Sequence, residues 1–270
     1  MVNKNIKIYD STLRDGAQTK GVNFSLDDKF RVLDILINIG VDYIEAGWPG
    51  ANPTDDKFFK TIPKLSKSRV VAFGMMRKKG TSANNDPGLN AVLNSGVATS
   101  CLVGKSWDFH VRSALKISNS ENLHMIFDSI NYASQRLNEV MFDAEHFFDG
   151  YKANPKYALE VIKTAFDAGA NWIVLCDTNG GTLPYELIDI FNEVKKVIPS
   201  ENLGVHFHND TDCATYNSIE SVKLGAKQVQ GTFNGLGERC GNSNLVNVVA
   251  NLTLKMGYDC KIKKNLKKLT

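Results

Sequence analysis

Asn171-Trp172-Ile173-Val174-Leu175-Cys176 is an apolar run of strand length; a helical stretch follows from about Pro184, and a second apolar run opens at Leu203 and carries Val205-His206-Phe207-His208-Asn209-Asp210. Strand, polar turn, amphipathic helix and strand make one crossover unit of a parallel sheet. The proline suits a first helical turn, where its missing N–H would have had no partner. The fold depends on how often this unit recurs.

It recurs along the whole chain, with no low-complexity linker between copies. Upstream, the strands read as Ile6–Tyr9, Asp42–Gly47, Arg69–Met75, Thr99–Val103 and Glu139–Phe142; downstream, Lys227–Thr232 follows the histidine strand. The helices between them carry their own punctuation. Ser25 reads as a cap with Asp27 and Asp28 in the first turn and Gly40 at the end; a second helix begins near Asn52-Pro53, another spans Pro155–Ala168, and the last spans Leu245–Met256. About eight units predict a (β/α)8 TIM barrel rather than an open doubly wound sheet, and the 270-residue length suits one. The barrel is expected over residues 1–260, with a short basic tail of solvated chain over 261–270.

A barrel places its chemistry where strands run out into the following loops. Those positions hold Asp15, Glu45, Lys105, Glu145 with His146, Asp177-Thr178-Asn179, the histidine pair and Asn234. So many acidic groups at one mouth would repel one another, and a bound cation relieves that. His206 and His208 alternate along a strand, so both imidazoles point to one face, a good start on a divalent-metal site. Two hydrogen-bonded histidines would give the same pattern.

Composition narrows the rest. The net charge is +3, and no Lys/Arg cluster interleaves with aromatics, so nucleic acid is not expected as a partner. Five scattered cysteines without a C-x-x-C pair read as free thiols in a reducing compartment. The N-terminus, Met1-Val2-Asn3-Lys4-Asn5, lacks the apolar core of a signal peptide, and no apolar run is long enough to cross a bilayer. A cytoplasmic protein acting on small molecules, with no membrane partner, is the expectation.

Three stretches in order, Asp10-Ser11-Thr12-Leu13-Arg14-Asp15-Gly16-Ala17-Gln18, His206-Phe207-His208-Asn209-Asp210 and Asn234-Gly235-Leu236-Gly237-Glu238-Arg239-Cys240-Gly241-Asn242, resemble the metallo-barrel family of isopropylmalate, homocitrate and citramalate synthases, to which hydroxymethylglutaryl-CoA lyase also belongs. The resemblance implies Asp15, His206 and His208 as ligands of a divalent metal (Mn2+, Mg2+, Co2+ or Zn2+), with Asn242 as a further or water-mediated ligand. It implies Arg14 beside the metal, stabilising an oxygen that gains charge, and Glu145 as the active-site glutamate. Gln18 would lie near the substrate, and Thr178 would bond the carboxylate of a 2-oxo acid. From the residues alone, Asp15 also reads as a loop cap, Arg14 as a salt bridge to Asp10 or Glu45, and Asp177-Thr178 as a cap on the following helix. The glycine loop is not a dinucleotide fingerprint, since its last interval is too long.

Glu45–Pro53, Gly104–Asp108, Asp143–Gly150 and Val229-Gln230-Gly231-Thr232 look most like the citramalate-forming branch, and no Gly-Cys-Pro loop of the lyases is present. The expected reaction is condensation of acetyl-CoA with pyruvate to citramalate and CoA. The alternatives are another 2-oxo acid acceptor, a carbon–carbon lyase or aldolase, and a metal-binding barrel without turnover. Thr211-Asp212 departs from the small residue and glycine found in many members, which bears on the shape of that loop. Family synthases continue into a linker and regulatory domain and act as homodimers, so the expectation is a homodimer and either a truncated chain or a barrel-only relative.

Overall fold

The computed structural model describes residues 4–63 and 69–269. Met1–Asn3 of the N-terminal stretch and Thr270 of the tail lie outside the described residues. The elements run in the order β1 (Lys7–Asp10), α1 (Leu26–Ile39), β2 (Tyr43–Gly47), α2 (Pro53–Thr61), β3 (Arg69–Met75), α3 (Pro87–Leu93), β4 (Thr99–Lys105), α4 (Asp108–His110), α5 (Asn119–Ser134), β5 (Glu139–Glu145), α6 (Phe147–Ala153), α7 (Pro155–Asp167), β6 (Trp172–Asp177), α8 (Pro184–Val194), β7 (Leu203–Phe207), α9 (Ala214–Leu224), β8 (Gln228–Gly231) and α10 (Leu245–Ala250). The strands pair in sequence order, all parallel, and β8 closes on β1 with Lys7 opposite Gln228 and Asp10 opposite Gly231. This is the (β/α)8 TIM barrel expected from the unit count.

Local chemistry starts and stops the helices as the residues suggest. The Ser25 side chain accepts the Asp28 amide while the Asp28 carboxylate accepts the Ser25 amide, a capping box, and Gly40 ends α1 in the left-handed region. Asn52 caps α2, with Pro53 in its first turn. Strand alternation then sorts side chains between two cores. Ile44, Leu102, Phe142, Leu175, Val205 and Val229 join the layer between strands and helices. Tyr9, Tyr43, Val71, Phe73, Cys101 and Met141 fill the barrel interior.

Several boundaries differ from the sequence expectation. Strands β4 and β5 run on to Lys105 and Glu145, which sit opposite each other in register. The last helix changes to a π-helical turn over Asn251–Lys255, where the Asn251 and Thr253 side chains bond carbonyls four residues back and loosen the backbone ladder. The basic tail is not free chain over its described length. It forms a 3-10 helix over Lys261–Lys268, with Ile262 fully buried and the Asn265 amide donating to the Ile39 carbonyl. Its apolar positions dock on the end of α1, while lysines such as Lys261 and Lys264 stay exposed. Among the described residues, no helix is long and apolar enough to cross a membrane.

Candidate metal centre

The loop after β1, Ser11–Asp15, folds back on itself. Asp10 is fully buried and accepts the Thr12 amide at 3.1 Å and its hydroxyl at 2.7 Å, and the Thr12 hydroxyl in turn accepts the Phe233 amide at 3.0 Å. Burial pushes the Asp10 carboxyl up to about 7 against those hydrogen bonds. This knot ties the first loop to the eighth and aims Asp15 into the barrel mouth. Asp15 is not a loop cap: the turn that follows it takes no side-chain bond from it. Its Oδ2 accepts the Ser11 hydroxyl at 2.8 Å, its Oδ1 pairs with Arg14 Nη1, and His206 Nε2 lies 3.6 Å from Oδ2. Burial works against its charge, yet Arg14 and then the two histidines hold its carboxyl below the ordinary value.

His206 sits in β7 and His208 one residue past the strand end, where it bridges to Asn242; their ring centroids are 5.2 Å apart. Burial, followed by the neighbouring His206, pushes His208 down to about 3, so its ring carries a free lone pair at neutral pH. His208 Nδ1 and Asn242 Oδ1 are both buried without a hydrogen-bond partner. Asn242 is held by its Nδ2, which donates to the Leu236 carbonyl at 3.0 Å. Gly237 makes that approach feasible, since a Cβ there would lie 2.2 Å from Asn242 Nδ2. Buried polar atoms seldom go unpaired. The unprotonated His208 imidazole, the unpaired Asn242 oxygen and the Asp15 carboxylate suit a divalent cation in donor type.

Of the salt bridges that the residues suggest for Arg14, the one to Glu45 forms. Arg14 Nε donates to Glu45 Oε2 at 2.6 Å, and its guanidinium stacks 4.0 Å over the Phe73 ring. The salt bridge to Glu45 fixes the cation beside Asp15. Glu45 is fully buried, and burial raises its carboxyl to about 7 despite Arg14. Across the mouth, Glu145 Oε2 pairs with Lys105 Nζ at 2.5 Å. The Thr178 hydroxyl oxygen accepts the His146 amide at 2.9 Å, which leaves its hydrogen free to donate. It does not cap the next helix; Asp177 accepts the Gly181 and Thr182 amides and shapes the loop instead. Gln18 is exposed at the rim.

One cavity of about 280 Å3 is lined by Arg14, Asp15, Gln18, Glu145, Thr178, His206 and His208 together with Trp48, Phe73, Met75, Val103 and Lys105. Asn242, bridged to His208, does not line it. The sequence places Glu45 and Lys105 at strand ends but assigns neither a role at the site. A larger cavity, about 610 Å3, opens at the other end of the barrel around Arg69, Glu139 and Asn171. Size misleads there, because barrel chemistry belongs to the C-terminal strand ends.

Among the described residues, Glu45, Cys101 and Asp143 bring three ligand-type atoms within 4.8 Å of one another. The carboxylates are already engaged, Glu45 by Tyr9 and Arg14 and Asp143 by Gln230. Burial holds the Cys101 thiol well up, and a protonated thiol is a poor ligand. Engaged carboxylates and a protonated thiol make this group a poor cation site.

The sequence model of the HMGL-like family matches residues 5–270. The chain belongs to the HMGL-like family. Its relatives in that family include an (R)-citramalate synthase of Aquifex aeolicus, 48% identical over 98% of this chain and 51% of that protein, and one of Geobacter sulfurreducens, 50% identical over 98% and 50%. A 2-isopropylmalate synthase of Sulfolobus acidocaldarius is 36% identical over 95% of this chain and 64% of its own length. The chain spans about half the length of the citramalate synthases it matches. In fold it is similar to an HMG-CoA lyase of Bacillus subtilis, with a TM-score of 0.84 and 22% identity, covering 99% of this chain and 91% of that one. For an HMGL-like chain, the loop at Thr211-Asp212 was the open question. Asp212 takes φ of 59°, the left-handed region that glycine favours and aspartate tolerates, and its carboxylate accepts the Asn209 amide at 3.2 Å.

Proposed function

We propose that this barrel catalyses the metal-dependent condensation of acetyl-CoA with pyruvate and water to give citramalate and CoA, which makes it an acyltransferase. What carries the reading is identity of 44–50% to five (R)-citramalate synthases over nearly the whole chain. Asp15, His206, His208 and Asn242 would hold the divalent metal, which supplies Lewis acidity toward a carbonyl oxygen when bound. Arg14, clamped between Asp15 and Glu45, would stabilise the oxygen of the acceptor as it gains negative charge. Thr178 would donate its free hydroxyl hydrogen to the 2-oxo acid carboxylate, and Gln18 would contact substrate at the rim. Glu145, positioned by Lys105, would serve the proton lost from the acetyl methyl group or orient the hydrolytic water. The new carbon–carbon bond joins the acetyl methyl carbon to C2 of pyruvate, and hydrolysis of the thioester releases the CoA thiol.

The proposal extends to a homodimer, which the family resemblance implies, and to the cytoplasm, which five free cysteines suit. Small molecules are its partners. Sedimentation velocity tests the dimer. The activity is tested by following thiol release from acetyl-CoA with pyruvate, 2-oxobutyrate, 2-oxoisovalerate and 2-oxoglutarate in turn, with Mn2+ and then with chelator. Metal-dependent release with pyruvate as best acceptor is expected, and it would show that residues 1–270 suffice. Preference for another acceptor overturns the substrate. No release, with cleavage of a 3-hydroxyacyl-CoA instead, overturns the synthase reading.

A further inference from the structure

We propose that Gln230 is a positioning residue that sets the tautomer of His206, and so the affinity of the mouth for its cation; the inference rests on the metal-site reading above. Gln230 lies on β8 directly opposite His206 on β7 and is fully buried. Its Oε1 is 3.0 Å from His206 Nδ1, and its Nε2 is 3.3 Å from both Asp143 Oδ1 and Gln228 Oε1.

The chemistry of those neighbours decides which way the amide points. An NH2 group has two hydrogens to give and no lone pair to receive. Two oxygens face one end of the Gln230 amide, so that end is the nitrogen. Gln228 is itself oriented, because its own Nε2 faces the Met141 sulfur at 3.6 Å and leaves its oxygen toward Gln230. Turning the Gln230 amide over would set its oxygen against the oriented Gln228 oxygen in a dry interior.

With the Gln230 oxygen toward the ring, the proton of the His206 hydrogen bond sits on Nδ1. Nε2 then carries the lone pair, and it is the atom 3.6 Å from Asp15 Oδ2. That separation is too long for a hydrogen bond. A cation between them satisfies both. Ligating histidines are commonly fixed through their other nitrogen, and loss of that partner weakens metal binding by roughly 10–100-fold. An amide does this without adding a further negative charge beside Asp143 and Glu45.

The test uses the protein with 15N-labelled histidine and no metal, with long-range proton–nitrogen correlation reading the tautomer of His206. The wild type is expected to show the Nδ1–H form; the Nε2–H form in the wild type overturns the proposal without any variant. Gln230→Leu is expected to release the ring into mixed tautomers and to weaken Mn2+ binding roughly 10–100-fold by calorimetry, whereas Gln230→Glu, which keeps an acceptor oxygen, retains the Nδ1–H form. A folded Gln230→Leu protein with the wild-type tautomer and affinity overturns it. His206→Ala separates the two readings: if it binds Mn2+ like wild type the metal site fails, whereas the tautomer result concerns Gln230 alone.

Discussion

The two ends of this barrel solve opposite problems with similar residues. At the N-terminal end, Glu139 is encircled by donors: Tyr43 OH at 2.8 Å, Trp172 Nε1 at 2.9 Å and the Arg69 guanidinium, which also donates to Tyr43 OH at 3.0 Å. Its carboxylate oxygens and the three donors all have partners, and the plug is finished. At the C-terminal mouth, His208 Nδ1 and Asn242 Oδ1 have no partner, and Asp15 and His206 face each other across 3.6 Å. Leaving a buried donor or acceptor unpaired costs about 1–3 kcal/mol. Ser100 Oγ near the start of β4 is unpaired too, so what marks the mouth is that its orphans gather beside a carboxylate and two imidazoles.

That contrast is sharpest when one residue is removed from each end. His206→Ala is expected to lower Mn2+ affinity by more than about 100-fold, read by calorimetry, since a ligand should cost at least as much as its supporting partner. Without metal this variant should lose about 1–3 kcal/mol in urea unfolding, because Gln230 Oε1 is left without its buried partner. Mn2+ at 100 times its dissociation constant is expected to stabilise the wild type by about 2.7 kcal/mol in urea unfolding and to leave His206→Ala unmoved. Stabilisation of both alike would break the comparison.

At the finished end the pattern reverses. Glu139→Leu strands the Tyr43 hydroxyl and the Trp172 N–H, so a loss of about 2 kcal/mol in urea unfolding is expected, at the cost of an unpaired buried donor. Mn2+ affinity should not change. If it does, the two ends are coupled through the barrel interior and the division of labour fails.

A smaller effect belongs to Asp10, the buried acid that knots the first and eighth loops at the mouth. Its carboxyl is raised to about 7 by burial, so between the ordinary carboxylate value and about 7 the folded chain holds a proton that the unfolded chain has lost. Stability attributable to this group is therefore highest at the acid side of that window and falls as pH rises through it, by at most about 1.4 kcal/mol per pH unit. Asp10→Asn, which keeps an acceptor for the Thr12 amide, is expected to flatten that slope relative to wild type in urea titrations from pH 4 to 7. An unchanged slope would show that Asp10 does not titrate there.

Much of this was legible before any coordinates. Helix starts at Ser25 and Asn52, the stop at Gly40 and the strand–helix period are written in neighbouring residues, because capping and alternation act over three or four positions. The histidine spacing belongs to the same class: positions two apart along extended chain share a face, although His208 falls one residue past the end of β7. Arg14, Asp15, Gln18, Glu145, Thr178, His206, His208 and Asn242 were named from motifs, and folding brings all but Asn242 onto one cavity, with Asn242 bridged to His208. Tertiary structure alone decided the partners. Arg14 meets Glu45, Lys105 meets Glu145, Gln230 meets His206, and Ile262 of the tail is buried, each across at least 24 positions or into a layer built by distant elements. Such pairings have no local signature, because they arise only when β8 closes on β1 and the desolvated interior obliges every polar group to find a neighbour.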